Sequence, residues 1–180
     1  MIRGVVFDVD GTVVRGRDAL PDAAAVVDRV REAGVDVCFC SNNPTKGPAA
    51  YVDRLAAAGV EAGAEEVVTA ADSTVAYLRE HHAEDSLYVL GERGLIEQLE
   101  AAGLTVAADD ANADAGVVSI DRSFDYDDLA RALVALGDGT PHVGTDPDRI
   151  IPPPDALAPG PGAVLNADRA ALVHHSDTVL

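Results

Sequence analysis

Basic residues are scarce in this 180-residue sequence, in which thirteen lysines and arginines face thirty-one acidic residues. Lys46 is the single lysine, and the formal net charge is −18. A surface of this charge repels phosphate backbones, so we expect neither nucleic acid nor an anionic membrane as a partner. Excess carboxylate with almost no lysine also resembles halophilic proteins, because concentrated salt screens the self-repulsion. The alternative is an acidic cytosolic protein without that adaptation.

Cysteine is nearly absent as well. Cys38 and Cys40 are separated by one residue inside an apolar run, which places both side chains on one face of a strand, a poor arrangement for a disulfide. Because the sequence has no further cysteines, a metal cage is not expected either. We expect two small, buried, apolar side chains in a reducing compartment.

Long apolar runs are missing too. No stretch approaches the length of a membrane span, and residues 1–4 lack the length and flanks of a signal peptide. We therefore expect a cytoplasmic protein. The hydrophobic content of 48% is ample for a folded core, either in one domain or in a split domain that carries an insertion.

Strand and helix patterns alternate along the chain. Val5–Phe7 and Val35–Cys40 are compact apolar runs, typical of fully buried parallel strands. Helical patterns follow each of them and end at Gly34 and Gly59. A second series of strands and helices begins near Leu87. This alternation predicts an α/β fold with a parallel sheet and helices on its faces.

The strongest functional pattern directly follows the first strand, where Asp8, Asp10 and Thr12 are spaced two apart. Residues two apart on a strand share a face, and open parallel sheets bind ligands beyond the carboxyl ends of their strands. Two clustered carboxylates repel each other unless one is protonated or a cation lies between them, and hard oxygen ligands suit Mg²⁺. The pattern indicates phosphoryl transfer, with a carboxylate nucleophile, a second carboxylate as acid and base, and Thr12 as a supporting group.

Two other interpretations of this segment are open. Asp10-Gly11 is also a common turn dipeptide. A calcium-binding loop is disfavoured, because its spacing would place Ala19 where the bidentate glutamate belongs.

The second functional pattern is Ser41-Asn42-Asn43, after the second strand. The carboxyl ends of parallel strands meet at one edge of a sheet, so we expect Ser41 and nearby backbone N–H groups to bind phosphate oxygens beside Asp8. Taken alone, this triplet is more often a helix cap or an Asx turn. Paired with the aspartates, it favours a phosphate site.

These two patterns, in this order, resemble the first two motifs of the haloacid dehalogenase (HAD) superfamily. More narrowly, they resemble those of NagD-like and 4-nitrophenylphosphatase-like phosphatases. Further matching segments follow in order over nearly the whole chain: residues 90–92, 120–126, 145–148 and 159–163.

The resemblance implies a fold and a reaction. The fold is a Rossmann-like core over residues 1–77 plus 161–180, with an inserted α/β cap domain over residues 78–160. The reaction is Mg²⁺-dependent hydrolysis of a small phosphomonoester, such as a sugar phosphate, through an aspartyl-phosphate.

The resemblance also assigns roles to individual residues. Asp8 is the nucleophile and a metal ligand, and Asp10 is the general acid and base with its backbone carbonyl on the metal. The phosphate-binding residues are Thr12, Ser41 and Asn42. Asp146 and Asp148 in the cap are weaker candidates for substrate contacts.

The chain departs from the family pattern at its C-terminal end. Family members continue with a lysine that stabilises the phosphoryl group and an acidic loop that completes the metal shell. No lysine follows Lys46, and the tail over residues 174–178 does not match that loop. The resemblance thus implies a core sheet that is incomplete at its C-terminus. Three accounts stay open: a truncated sequence, an impaired relative that only binds phosphate or a small molecule, or a subunit that a partner completes, for example in a homodimer.

Overall fold

The structure is a computed structural model that describes residues 2–16, 18–108, 113–137, 139–151, 157–171 and 176–180. The chain divides into an N-terminal unit, Met1–Thr69, and a C-terminal unit, Ala70–Leu180. Each unit combines helices with a parallel sheet, so the predicted α/β class is confirmed. No helix in the described ranges has the length and apolar character required to cross a bilayer.

The N-terminal unit is built on a parallel sheet of order β1-β4-β5. The strands of this unit are β1 (Gly4–Asp8), β2 (Val14–Arg15), β3 (Asp18–Ala19), β4 (Asp36–Ser41) and β5 (Val67–Thr69), and its α-helices are α1 (Ala23–Glu32) and α2 (Pro48–Ala57). β2 and β3 form a separate antiparallel hairpin. Pro48 occupies the first turn of α2, where its missing N–H costs no intrahelical hydrogen bond.

The helices of this unit cover one face of the sheet. Phe39 of β4 is fully buried against Val27 of α1 and Leu55 of α2 in one apolar cluster. Alternate strand residues point to the other face, where Val6 is 68% exposed and Cys40 is also exposed.

Two expectations therefore fail. β1 is an outer strand of the described sheet and is not fully buried, and the cysteines are not both buried, since Cys38 is only partly covered and Cys40 is exposed. Their shared face lies opposite the helical core, which the apolar run alone does not reveal.

The C-terminal unit is built on a larger parallel sheet of order β12-β9-β8-β6-β7 within the described residues. Its helices are α3 (Ala70–His81), α4 (Arg93–Ala101), α5 (Tyr126–Ala135) and α6 (Pro161–Ala171); its strands are β6 (Ser86–Leu90), β7 (Thr105–Val106), β8 (Ala115–Val118), β9 (Pro141–Gly144), β10 (Ile150–Ile151), β11 (Ala158–Pro159) and β12 (Ser176–Val179). β10 and β11 form a short antiparallel pair.

Both faces of this larger sheet are covered. On β6, Leu87 faces the cluster formed with α3 and α4, whereas Leu90 faces the cluster formed with α5 and α6. The strand run is consequently apolar throughout instead of alternating, as expected for a parallel strand between two helical layers.

Residues 161–180 contribute to the C-terminal unit. α6 buries Leu165 in that unit's core, and β12 pairs in parallel with β9 from Ser176 opposite Pro141 to Val179 opposite Gly144. The resemblance grouped this segment with residues 1–77, whereas the contacts divide the chain between residues 69 and 70. Leu78, at the expected boundary, is fully buried among C-terminal-unit residues. The tail segment over residues 174–178 begins outside the described residues.

Candidate active site

Asp8 is the last residue of β1 and pairs in register with Cys40 on β4. Its carboxylate is exposed to solvent. Thr12 Oγ1 donates a hydrogen bond to Asp8 Oδ2 over 2.9 Å. The structure thus brings two predicted site residues together at the carboxyl end of the sheet, with Thr12 fixing one oxygen of the Asp8 carboxylate.

A tight turn over residues 9–14 follows the strand. The N–H groups of Val13 and Val14 both donate to the carbonyl of Val9 over 3.0 Å, and Gly11 N–H donates to the carbonyl of Val14 over 2.8 Å. Gly11 has a φ of +92°, a conformation that favours glycine. β1 ends at Asp8, so this turn, rather than strand alternation, sets the position of Asp10.

The carboxylate of Asp10 lies beside two buried hydroxyl groups. Ser41 Oγ and Tyr51 OH are 2.9 and 3.1 Å from Asp10 Oδ2 and 2.7 Å from each other. Ser41 is 2% exposed and Tyr51 is 1% exposed. The two sequence patterns, 31 residues apart, therefore meet through a direct contact between Asp10 and Ser41.

Arg54 of α2 holds the other side of the same carboxylate. Its Nη1 donates to Asp10 Oδ1 over 2.6 Å, and its Nε donates to the carbonyl oxygen of Gly16 over 2.7 Å. The guanidinium carbon lies 5.7 Å from the centroid of the Tyr51 ring, within the range of a cation–π contact. Asp10 is thus held through both of its oxygens.

The loop after β4 is ordered by its own side chains. Asn43 N–H donates to Ser41 Oγ over 3.2 Å, and both the N–H and the hydroxyl of Thr45 donate to Asn43 Oδ1 over 2.8 Å. Asn42, predicted to bind phosphate, is exposed between them. The Asx-type hydrogen bonds of Asn43 fit the turn interpretation of this segment, while Ser41 also faces Asp10. The turn interpretation therefore applies to Asn43, while phosphate binding by Ser41 and Asn42 stays a prediction.

Burial perturbs two groups near this site. It raises the pKa of Tyr51 to about 12, an effect to which the charge of Asp10 adds. Tyr51 is therefore a neutral phenol that can donate a hydrogen bond over the physiological pH range. Although Cys40 is exposed, partial desolvation by its neighbours raises the pKa of its thiol, and Cys38 and the charge of Asp8 add to this effect, so Cys40 is a poor thiolate nucleophile.

Asp146 and Asp148 lie in the C-terminal unit, in the loop after β9. Asp146 is 6% exposed and accepts a hydrogen bond from Asp148 N–H over 2.7 Å. Burial raises the pKa of Asp146. Asp148 itself is exposed. Of this pair, Asp148 has the side chain that a ligand reaches without moving the loop.

The described residues contain no group of three or more His, Cys, Asp or Glu side chains that would form a metal cage. Mg²⁺ does not require one, because it commonly takes one or two carboxylates and fills its shell with waters and substrate phosphate. Asp10 already contacts Arg54, Ser41 and Tyr51, whereas Asp8 is exposed and held by Thr12 at one oxygen. The donor set fits an open Mg²⁺ site with Asp8 as its side-chain ligand.

Tyr51 and Arg54 were not predicted from the sequence. They lie three residues apart on α2, on one face of the helix. In the sequence, Tyr51 resembles any buried aromatic residue of a helix. Arg54 lies in the last turn of α2, where a basic residue is favoured by the helix dipole whatever its other role. The available signal was the presence of a tyrosine and an arginine on one face of the helix that follows Ser41.

A family model for haloacid dehalogenase-like hydrolases matches residues 5–105, which is more than half of the chain. The chain belongs to this family. The match spans both sequence patterns and continues into the C-terminal unit.

Individual relatives agree with the narrower resemblance. An acid sugar phosphatase of Staphylococcus haemolyticus is 35% identical over 162 residues, which cover 90% of this chain and 61% of that protein. The structure of a p-nitrophenyl phosphatase from Archaeoglobus fulgidus has a TM-score of 0.86 and 28% identity, and covers 99% of this chain and 68% of that one. NagD from E. coli K-12 has a TM-score of 0.77 and 27% identity, with coverages of 94% and 66%.

The predicted membership of the HAD superfamily and the likeness to NagD and nitrophenylphosphatases are thereby confirmed. The chain spans between 57% and 62% of the length of the curated relatives that it matches.

Proposed function

We propose that this HAD family member is a Mg²⁺-dependent phosphatase that hydrolyses a small phosphomonoester through an aspartyl-phosphate on Asp8. The observation that carries the proposal is the meeting of the two sequence patterns, in which Asp10 contacts Ser41 over 2.9 Å while Asp8 ends the neighbouring strand. A nucleophile, an acid–base group and hydroxyl donors are thus available at one edge of a parallel sheet, where such sheets bind ligands.

The first step transfers the phosphoryl group to the protein. A carboxylate oxygen of Asp8 attacks phosphorus, and the bond from phosphorus to the leaving oxygen breaks. Asp10 donates a proton to that oxygen, so an alcohol departs instead of an alkoxide. When the substrate is bound, the hydroxyl groups of Ser41 and Thr12 turn from Asp10 and Asp8 and donate to phosphoryl oxygens instead, which stabilises the charge that builds up on those oxygens.

The second step releases phosphate. Asp10, now a carboxylate, accepts a proton from water, and the water oxygen attacks phosphorus. The bond between phosphorus and Asp8 breaks, which returns both aspartates to their starting protonation states and leaves one alcohol and one inorganic phosphate. Every proton in the cycle moves to or from Asp10.

Mg²⁺ would be held by the Asp8 carboxylate and, as in the family, the backbone carbonyl of Asp10. When bound, it neutralises phosphate charge so that an anionic nucleophile can approach.

For the substrate, we propose a small phosphorylated metabolite such as a sugar phosphate. The S. haemolyticus relative is named an acid sugar phosphatase, and the net charge of −18 opposes binding to long polyanions. We further propose that the C-terminal unit acts as the cap domain that selects the substrate. Exposed Asp148 is then a stronger candidate for a substrate contact than buried Asp146.

The test is an assay of the chain with 4-nitrophenyl phosphate and Mg²⁺, comparing the wild type with Asp8→Asn. We expect the substitution to lower turnover by several orders of magnitude, because the amide is a poor nucleophile. Chelation of the metal should likewise stop turnover. Asp28→Asn makes the same chemical change at an exposed position on α1 and should leave the rate unchanged.

Retained activity in Asp8→Asn would refute the assignment of the nucleophile. Binding of inorganic phosphate by the wild type without any turnover would instead identify a phosphate-binding module. A cytoplasmic location, function in concentrated salt and a homodimer stay predictions. Phosphatase assays in low and high salt test the salt dependence of function, and sizing tests the homodimer.

A further inference from the structure

Arg54 makes three contacts around the proposed acid–base residue. It donates to Asp10 Oδ1 and to the Gly16 carbonyl, and it lies over the Tyr51 ring. We infer that Arg54 is a positioning residue that fixes the orientation of the Asp10 carboxylate for proton transfer. This inference rests on the proposed function.

An aspartate carboxylate turns easily about its last torsion, which has broad, roughly two-fold preferences. At Asp10 that freedom is removed from both sides. Arg54 holds Oδ1, while Ser41 and Tyr51 hold Oδ2. The plane of the carboxylate is therefore defined by three partners, and Arg54 is the cationic one.

The anchor for this arrangement is α2. Tyr51 and Leu55 of this helix are buried in the core of the N-terminal unit, and Arg54 lies between them in sequence. The second hydrogen bond of Arg54 reaches Gly16, which forms the turn between β2 and β3 with a φ of +64°. Arg54 thus ties the Asp10 carboxylate and the β2–β3 hairpin to one rigid helix.

Stability alone is a weak reason for this ion pair. The Arg54 and Asp10 side chains are 19% and 37% exposed, and partly exposed ion pairs contribute little to folding. Orientation of the Asp10 carboxylate is a stronger reason for the ion pair, because Asp10 must contact both the leaving oxygen and the attacking water. Small misplacements of catalytic groups slow reactions steeply.

Arg31 offers a matched comparison in the same unit. Its guanidinium contacts both carboxylate oxygens of Glu66 over 2.9 Å and donates to the carbonyl of Glu61 over 2.7 Å. Like Arg54, it joins a carboxylate and a backbone carbonyl, but its partners are not part of the proposed site. Arg31→Met therefore reports the cost of losing an arginine of this kind without disturbing Asp10.

The leaving group provides a readout specific to proton transfer. 4-Nitrophenolate is stable as an anion near neutral pH and departs without a proton, whereas phenolate is more basic and benefits from one. Phenyl phosphate and 4-nitrophenyl phosphate are otherwise similar in shape. The ratio kcat/KM covers only the steps up to formation of the aspartyl-phosphate, so it isolates the step in which Asp10 donates its proton.

The experiment measures kcat and kcat/KM of the wild type, Arg54→Met, Arg54→Lys and Arg31→Met with both substrates. For Arg54→Met we expect kcat/KM to fall about 100-fold with phenyl phosphate and less than about fivefold with 4-nitrophenyl phosphate. Its kcat should fall with both substrates, because both share the water-attack step. Arg54→Lys keeps the charge but not the fork that reaches Gly16, and should be intermediate. Arg31→Met should match the wild type with both substrates.

Two results would overturn the positioning role while leaving the phosphatase proposal intact. One is an equal loss of kcat/KM with both substrates in Arg54→Met. The other is an Arg31→Met variant whose kcat/KM falls more with phenyl phosphate than with 4-nitrophenyl phosphate. Circular dichroism verifies that each variant is folded, and if Arg54→Met is not, the comparison is decided on Arg54→Lys. A wild type that hydrolyses neither ester would refute the proposed function, and the role of Arg54 with it.

Discussion

Gly162, in the first turn of α6, should lose stability when even a methyl group is added to it. Its N–H donates to the Asp148 carbonyl over 2.9 Å, which draws the start of the helix against the loop after β9. A Cβ at this position would lie 2.2 Å from the carbonyl oxygen of Pro147 and 3.1 Å from the carbonyl carbon of Asp148. These neighbours are backbone atoms, so relief requires the loop itself to move.

Two opposing effects set the expected result of Gly162→Ala. Alanine is favoured over glycine in a helix by about 1 kcal/mol. Forcing extra atoms into a packed site costs about 1–3 kcal/mol, and sometimes more, and a moving loop also weakens the hydrogen bond from residue 162 to Asp148. We expect steric strain to dominate, with a net loss of about 1–2 kcal/mol and a fall in Tm of about 2–8 °C for a chain of this size.

Thermal unfolding followed by circular dichroism measures this effect. The matched control is Gly137→Ala in the same unit, where the nearest atom to the added Cβ is Thr140 Oγ1 at 4.0 Å. That variant should be neutral or slightly stabilised. If Gly162→Ala were as stable as Gly137→Ala, the close approach of α6 to the Asp146–Asp148 loop would be wrong.

Two further predictions concern the N-terminal unit. Phe39→Ala removes a fully buried ring from its core and should cost about 3–5 kcal/mol in urea denaturation, whereas a loss below about 1 kcal/mol would contradict the assigned core. The pKa of Tyr51 is raised from 10.0 to about 12, so the folded protein favours the neutral phenol. The contribution of the neutral phenol to the free energy of unfolding is complete below pH 10 and is lost as the pH rises toward 12. Tyr51→Phe should therefore lose less stability across that window than the wild type, and equal slopes would refute the raised pKa.

The sequence was sufficient for the class of fold and for the proximity of Ser41 to the aspartates. The apolar runs that predicted strands at Val5–Phe7 and Val35–Cys40 correspond to β1 and β4, with ends shifted by a residue or two. The expectation that Ser41 would lie near the aspartates is confirmed by its contact with Asp10. These predictions succeeded because they depend on local patterns and on the common polarity of parallel strands.

Features set by tertiary contacts could not be predicted from such patterns. Asp10 owes its position to the turn closed at Gly11, not to strand alternation. Whether Cys40 is buried depends on which face of β4 the helices cover, and a short apolar run does not specify that face. Arg54 lies on a helix whose sequence offers no sign that its guanidinium reaches a carboxylate 44 residues earlier.

The placement of residues 161–180 depends on long-range contacts that no local pattern shows. Their helical and strand character is visible in the sequence, but the strand that β12 joins is decided by long-range pairing with β9. The grouping of this segment with the first unit came from a family pattern, and the contacts of this chain group it with the second.

The pairing of β12 with β9 has a consequence for protein synthesis. Strands β6, β7, β8 and β9 are all made before residue 145, yet the outer edge of β9 is not paired until residues 176–179 have left the ribosome. A chain that ended within α6 would therefore keep an open edge on β9, which is a site for unwanted pairing with other chains. We expect such a shortened chain to aggregate, whereas one that includes β12 covers this edge itself.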